Sequence, residues 1–187
     1  MDRFGRRTLL KAGLGVGVGL GLKPELALCQ DNPASSRPGE GDLLVKAGDA
    51  MKNPLGPGDI REGARPILAW AMDPADGTVR SGSRLNQVLL VRLDQEELSP
   101  ETRLRAVEGI VAYTAICTHT GCEVDDWLPP EQLLHCPCHG SRFDPRDSGK
   151  VVDGEAPRAL PALPLKLDNG RLVVGGSFTA RVGFQTA

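Results

Sequence analysis

The chain lacks any excess of positive charge. Its 22 Lys+Arg stand against 24 Asp+Glu, a formal net charge of −2. That excludes a nucleic-acid binder resting on gross basicity. Aromatic residues are scarce, at 4%, whereas Gly and Pro number 23 and 15. A long-helix bundle fits that profile poorly and a loop-rich β protein fits it well. There is no composition for disorder across the whole chain: 40% of residues are hydrophobic and 25% charged. The 187 residues allow one domain of roughly 150 residues plus a tail. What the sequence does have is cysteine in one place. Cys29 stands alone, while Cys117, Cys122, Cys136 and Cys138 fall close together.

The N-terminus reads as an address. Arg3, Arg6, Arg7, Lys11 and Lys23 face a single acid, Asp2, across residues 1–23. Gly5-Arg6-Arg7-Thr8-Leu9-Leu10-Lys11 precedes an apolar, Gly-rich run from Ala12 to Leu22. A basic start and a short apolar run make an export signal. The adjacent arginines make it resemble a twin-arginine signal, rather than an ordinary basic amphipathic helix. Such a route exports folded cargo to the periplasm, which suits a cofactor loaded beforehand. The apolar run has 11 residues, whereas a spanning helix needs about 20. This argues against a permanent anchor, while leaving membrane association through the N-terminus open. Leu26-Ala27-Leu28-Cys29 faintly resembles a lipoprotein cleavage box, but Leu28 stands where a small residue is expected, so an unmodified Cys29 is the plainer reading. The expected organisation is a signal over 1–29, a flexible Pro/Ser/Gly-rich linker over 30–41, and one folded domain over 42–187.

Within that domain, strand-like runs recur between turn signals. Leu43-Leu44-Val45, Pro66 to Met72, Gln87 to Leu93 and Gly109 to Ile116 read as strands. In the last, Val111, Tyr113 and Ala115 alternate with Ile110, Ala112 and Thr114. Leu163, Leu165 and Leu167, then Asn169-Gly170, then Leu172-Val173-Val174 read as a hairpin, because Asn-Gly supplies the positive φ angles of a tight primed turn. Ser99-Pro100-Glu101 is the one helix start, and that helix is expected to run to about Glu108. The fold class is all-β: a small antiparallel sandwich or barrel with one short helix.

Two short loops carry the chemistry. Cys117-Thr118-His119-Thr120-Gly121-Cys122 is the first and Cys136-Pro137-Cys138-His139-Gly140-Ser141 the second. Two thiolates and two imidazoles suit a tetrahedral zinc, or an iron–sulfur pair in which two His replace two Cys on one iron. Zinc fingers usually present Cys-x₂₋₄-Cys and His-x₃₋₅-His pairs. Here each loop offers one Cys and one His, a split that suits two bridged irons. The second Cys of each loop is left over, and in an exported protein Cys122 and Cys138 would be oxidised together.

These loops resemble those of Rieske [2Fe–2S] proteins, in the disulfide-containing class of quinol–cytochrome c reductases and arsenite oxidase small subunits. The resemblance implies a Rieske-type fold with a cluster-binding part over about 117–161, and one [2Fe–2S] cluster. It implies that Cys117 and Cys136 bind one iron, that His119 and His139 bind the other, and that Cys122 pairs with Cys138. Gly154-Glu155-Ala156-Pro157-Arg158-Ala159-Leu160-Pro161 is similar to the family's proline-containing loop, which covers the cluster from a third side. Gly140, Ser141, Phe143 and Pro157 would then surround the cluster beyond its ligands. The likeness extends over residues from about 109 to 174, and Gly109 to Cys122 also resembles the corresponding segment of arsenite oxidase small subunits.

The resemblance also implies a function. Neutral imidazoles in place of thiolates make the cluster less negative, so Rieske potentials run from about −150 to +300 mV, against roughly −400 mV for all-Cys ferredoxins. An iron-bound imidazole keeps a second nitrogen that can carry a proton, so His119 and His139 would couple electron uptake to proton uptake. A quinol, which loses both, is the family's typical donor. Such a subunit would pass electrons from quinol to cytochrome c, with cytochrome b and cytochrome c as partners, in a bc1-type complex. It would not be catalytic alone. The alternatives are the small subunit of an arsenite-oxidase-like molybdenum oxidase and a stand-alone periplasmic carrier. A Rieske oxygenase component is rejected: that class lacks the extra Cys pair, is cytoplasmic, and needs a mononuclear iron site for which only His135 would be left.

Two residues depart from the quinol-oxidising pattern. Ser141 matches the serine that donates to a bridging sulfide, but Phe143 replaces a tyrosine that donates to a ligand sulfur, so the potential should lie below that of the tyrosine-containing members. Thr120 replaces a leucine at the tip that docks on cytochrome b. His135 lacks ligand spacing and reads as a strand-end or surface histidine. Asp125-Asp126 reads as a solvated turn and Trp127 as a core or lid residue. Lys150 and Arg158 read as solubilising surface residues rather than docking ones.

Overall fold

A computed structural model describes residues 32–184 of the chain. In chain order it contains β1 (Leu43–Lys46), β2 (Ile67–Met72), β3 (Val88–Arg92), α1 (Pro100–Arg103) and β4 (Ile110–Thr114). These are followed by β5 (Asp126–Leu128), β6 (Leu133–Cys136), β7 (Ser141–Asp144), β8 (Lys150–Asp153), β9 (Leu165–Asp168) and β10 (Arg171–Val174). Strand pairing is antiparallel throughout both sheets. The architecture is all-β with one short helix, as the sequence implied.

The larger sheet has the order β4-β3-β2-β1-β10-β9. It curls on itself through the chain just before β9. Tyr113 bridges Ala162, Thr114 N donates to Pro161 O at 3.0 Å, and Leu163 N donates to Ala112 O at 2.9 Å. The outer edge of β4 is thus covered by the segment that becomes the opposite edge strand, which removes an exposed strand edge. The smaller sheet, in the order β5-β6-β7-β8, is inserted between β4 and β9. None of its strands was read from the sequence; they span only three or four residues each.

The alternation in β3 and β4 feeds two cores. Val88, Leu90, Ile110 and Ala112 join Leu44, Ala69, Ala71, Leu163 and Leu172 inside the curled sheet. Leu89, Val91, Val111, Tyr113 and Ala115 face the other way, against Trp127, Leu134, Phe143 and Leu160 of the inserted part. Both faces of these two strands are buried, so they read as near-continuous apolar runs. Burial of each such aliphatic side chain contributes about 1.5–3 kcal/mol.

Three local expectations need correcting. The helix stops at Arg103 instead of reaching Glu108. Ser99 does cap it, its Oγ accepting from Thr102 N. The chain then reverses where Val107 and Ile110 exchange backbone hydrogen bonds, with Glu108 and Gly109 at φ 49° and 80°. A Cβ at Gly109 would stand 2.2 Å from Leu93 O, so the turn requires glycine there. The stretch read as a flexible linker is tied down from Asn32 onward: Ser35 Oγ donates to Gly82 O, Arg37 to Leu85 O, and Gly41 N to Val174 O. Asp126 is not in a turn; it opens β5 and pairs with His135 across the sheet. The β9–β10 hairpin does turn on Asn169 and Gly170, at φ 47° and 76°. The export-signal and Cys29 readings lie outside the described residues. Among the described residues no helix is long and apolar enough to cross a membrane.

Candidate metal centre

The first loop prolongs β4. Ile116 bridges Glu123, and Cys117 N donates to Cys122 O at 2.8 Å, so Thr118 to Gly121 form a tip. The second loop joins β6 to β7, whose ends Cys136 and Ser141 are cross-strand partners; Gly140 turns it at φ 68°. Cys122 and Cys138 are joined by a disulfide, with Cα atoms 6.5 Å apart, that links the two loops. Among the described residues Cys117 and Cys136 are the free cysteines, and both are buried.

The proline-containing loop closes the third side. Thr118, fully buried, donates through Oγ1 to Arg158 O at 2.7 Å. Ala156 N donates to Ser141 Oγ at 3.0 Å. A Cβ at Gly154 (φ 86°) would stand 2.4 Å from Ser141 Cα, so only glycine lets this loop approach so closely. Pro157 is exposed, whereas its neighbour Ala156 is buried against the second loop.

The two imidazoles stand together, ring centroids 4.6 Å apart in a T-shaped arrangement. His119 Nδ1 is buried and has no hydrogen-bond partner, while its Nε2 lies 3.5 Å from Glu155 Oε2. His139 is exposed. Donor atoms of His119, His139 and Glu155 lie within 4.8 Å of one another, and so do those of Cys122, Cys136 and Cys138. Burial, and the neighbouring Cys117 thiol, push the Cys136 thiol up to about 11. The Cys136 thiol holds its proton until a cation beside it supplies opposing charge. An orphaned ring nitrogen facing inward needs an acceptor of its lone pair or a donor to it. A donor set of two free thiols and two paired imidazoles fits the mixed ligation of an iron–sulfur pair.

Other sequence-selected residues fall elsewhere. His135 Nδ1 lies 3.1 Å from Asp126 Oδ2 on the neighbouring strand and does not join the cluster of donors. That hydrogen bond, with the Trp127 backbone N–H, holds the Asp126 carboxyl below the usual carboxylate range. Phe143 is wholly buried between its cross-strand neighbours Leu134 and Val151. Trp127 is a core residue whose indole N–H has no partner among the described residues. Lys150 is a surface residue beside Asp147. Arg158 is not: it is half-buried, and its guanidinium donates to Gly183 O. Sequence reasoning gave Glu155 no role, because nothing in a lone exposed glutamate marks its proximity to a histidine 36 positions earlier.

Known proteins bear on this geometry. A family model described as "Rieske [2Fe-2S] domain" matches residues 72–164. The chain is 35% identical over 152 residues to "Cytochrome bc1 complex Rieske iron-sulfur subunit" of Streptomyces lividans, covering 77% of this chain and 85% of that protein. The protein of the same name from Streptomyces coelicolor is also 35% identical over 152 residues, but the match covers 41% of it. "Putative respiratory nitrate reductase subunit Rieske" of Haloferax mediterranei is 39% identical over 106 residues, which are 56% of this chain and 47% of that protein. The chain therefore spans most of one of these relatives and less than half of the other two. It belongs to the Rieske [2Fe-2S] domain family, and its cofactor is one [2Fe–2S] cluster of the Rieske type.

Proposed function

We propose that the chain is an electron-transfer subunit in which Cys117 and Cys136 hold one iron of the cluster and His119 and His139 the other. The buried, unpartnered Nδ1 of His119, on the same two disulfide-linked loops that carry the buried free thiols of Cys117 and Cys136, is the observation that carries this assignment. When bound, the cluster takes up and returns one electron at a time. The protein's own residues shape that exchange. The two thiols lie where water is excluded. Ser141 Oγ accepts from Ala156 N and keeps its own hydrogen to donate. His139 is exposed and can accept a hydrogen bond from a quinol hydroxyl, taking the proton that leaves with the electron. The disulfide and the Thr118–Arg158 bond hold the three loops around the centre.

In the leading reading, electrons pass from quinol to cytochrome c in a bc1-type complex, at the periplasmic face. The curated relatives named as bc1 Rieske subunits support it. Residues 1–29 would serve as a twin-arginine export signal, with the domain over 42–187. Thr120 at the exposed tip counts against docking on cytochrome b and is neutral for a second reading, the small subunit of an arsenite-oxidase-like molybdenum oxidase. The relative named as a putative nitrate reductase subunit favours service in a complex other than bc1. Purification of the full chain from native membranes separates them. Cytochrome b at equal stoichiometry supports the first reading, a molybdenum subunit overturns it for the second, and a chain recovered alone overturns both. Loss of the reduced protein's EPR signal in His139→Ser tests the ligand set; a retained signal overturns it.

A further inference from the structure

The last described residues return to the metal centre. Val182 is buried. At Gly183 the backbone runs across Leu85 and Ile116: a Cβ there would stand 3.4 Å from Leu85 Cδ2 and 3.7 Å from Ile116 Cγ2. Phe184 then lies on the tip of the first loop, where a Cβ at Gly121 would stand 3.3 Å from its ring carbon Cδ1. Phe184 is 51% exposed, so this contact covers part of its surface and leaves the rest to solvent.

Arg158 joins this segment to the other side of the loop. Its carbonyl accepts from Thr118 Oγ1 at 2.7 Å, and its guanidinium donates to Gly183 O. The guanidinium is poorly solvated, and its Nη1 is buried without a partner. Burial and the nearby Arg181 weaken its hold on its proton. A charge in such a place is retained only when the surrounding structure over-determines it. On the far side of the same tip, Arg84 Nη2 donates to Gly121 O at 2.8 Å.

We propose that Val182–Phe184 is a C-terminal latch on the first metal-binding loop, with Phe184 and Arg158 acting as positioning residues for His119. One end of the latch presses on Gly121 and the other pulls, through Arg158, on Thr118, so the two residues that flank the His119–Thr120 tip are fixed from outside the loop. The disulfide restrains Cys122 but not the residues before it, so the latch supplies what it lacks. The redox consequence rests on the ligand assignment above; the rigidity of the loop does not.

The test compares the full-length protein with Phe184→Ala, Phe184→Tyr and Arg158→Met. Amide hydrogen exchange is followed at residues 118–122 and in β2 and β3. The expected result is an acceleration of about tenfold at 118–122 in Phe184→Ala and Arg158→Met, with β2 and β3 unchanged. Phe184→Tyr should restore slow exchange. The EPR line shape and midpoint potential of the reduced centre should shift in the first two variants and return in the third. Unchanged exchange at 118–122, or an acceleration spread equally into β2 and β3, overturns the latch. A protein without an EPR signal refutes the ligand assignment instead, and the exchange comparison still decides the latch.

Discussion

Ser141→Ala separates two roles that one hydroxyl performs. Ser141 is fully buried at the start of β7, and its Oγ accepts from the buried backbone N–H of Ala156 at 3.0 Å. Alanine removes that acceptor and leaves the N–H without a partner. An orphaned buried donor costs about 1–3 kcal/mol. For a domain of this size each kcal/mol moves Tm by about 2–4 °C, so Tm should fall by roughly 4–8 °C for a mid-range loss of about 2 kcal/mol. The second role concerns the hydroxyl hydrogen. A donor toward the cluster stabilises the more negative, reduced state, so its loss should lower the midpoint potential. A differential of about 1–2 kcal/mol between oxidation states corresponds to about 45–85 mV for one electron, since tenfold is about 59 mV. Calorimetry and protein-film voltammetry read the two quantities on one sample. A lowered Tm with an unmoved potential would show that Ser141 braces the proline-containing loop and does nothing for the cluster. A lowered potential with an unmoved Tm would refute the stability argument from the Ala156 contact.

Phe143→Tyr should raise the potential by tens of millivolts, by adding a donor of about 1 kcal/mol beside a ligand sulfur; an unmoved potential would mean the new hydroxyl points elsewhere. Cys122→Ser opens a disulfide that closes 16 positions and should cost about 3 kcal/mol in thermal or denaturant unfolding, with faster loss of the cluster's visible absorption. Tyr113→Phe removes a buried hydroxyl that donates to Pro145 O at 2.9 Å. Burial pushes that phenol well above its ordinary pKa, so it remains a neutral donor at all working pH values. The variant should lose about 1 kcal/mol while keeping the potential of the parent, which makes it a control for Ser141→Ala.

The sequence displayed the site more fully than the scaffold around it. Cysteine and histidine are rare, chemically specific residues, and their spacing in two loops survives any uncertainty about strands. The Asn169-Gly170 turn was legible because its φ requirement is local. So was the alternation of β4, although its meaning, one face for each core, needed the packing. The strands β5 to β8 were not legible. Three or four residues carry too little periodicity, and Trp127, Leu134 and Phe143 become core residues only because β3 and β4 lie opposite them. Ser99-Pro100-Glu101 announced a helix, but it stops at Arg103, and two residues later the Arg105 carbonyl accepts from Leu165 N, a contact between distant segments that no local pattern marks. Glu155 beside His119 and Phe184 on Gly121 are likewise products of the fold, with no counterpart in any local pattern.

Because Thr114 and Pro161 are hydrogen-bonded to each other, the metal-bearing lobe leaves and re-enters the barrel at one doorway. Such a lobe is modular in connectivity: it could be lengthened, shortened or exchanged without altering the order of any barrel strand. It is not modular in wetting, since removing it would expose Leu89, Val91, Val111 and Tyr113 to water. Any replacement cassette, natural or engineered, must therefore bring a matching oily underside, and that footprint rather than the metal chemistry limits what this barrel can carry.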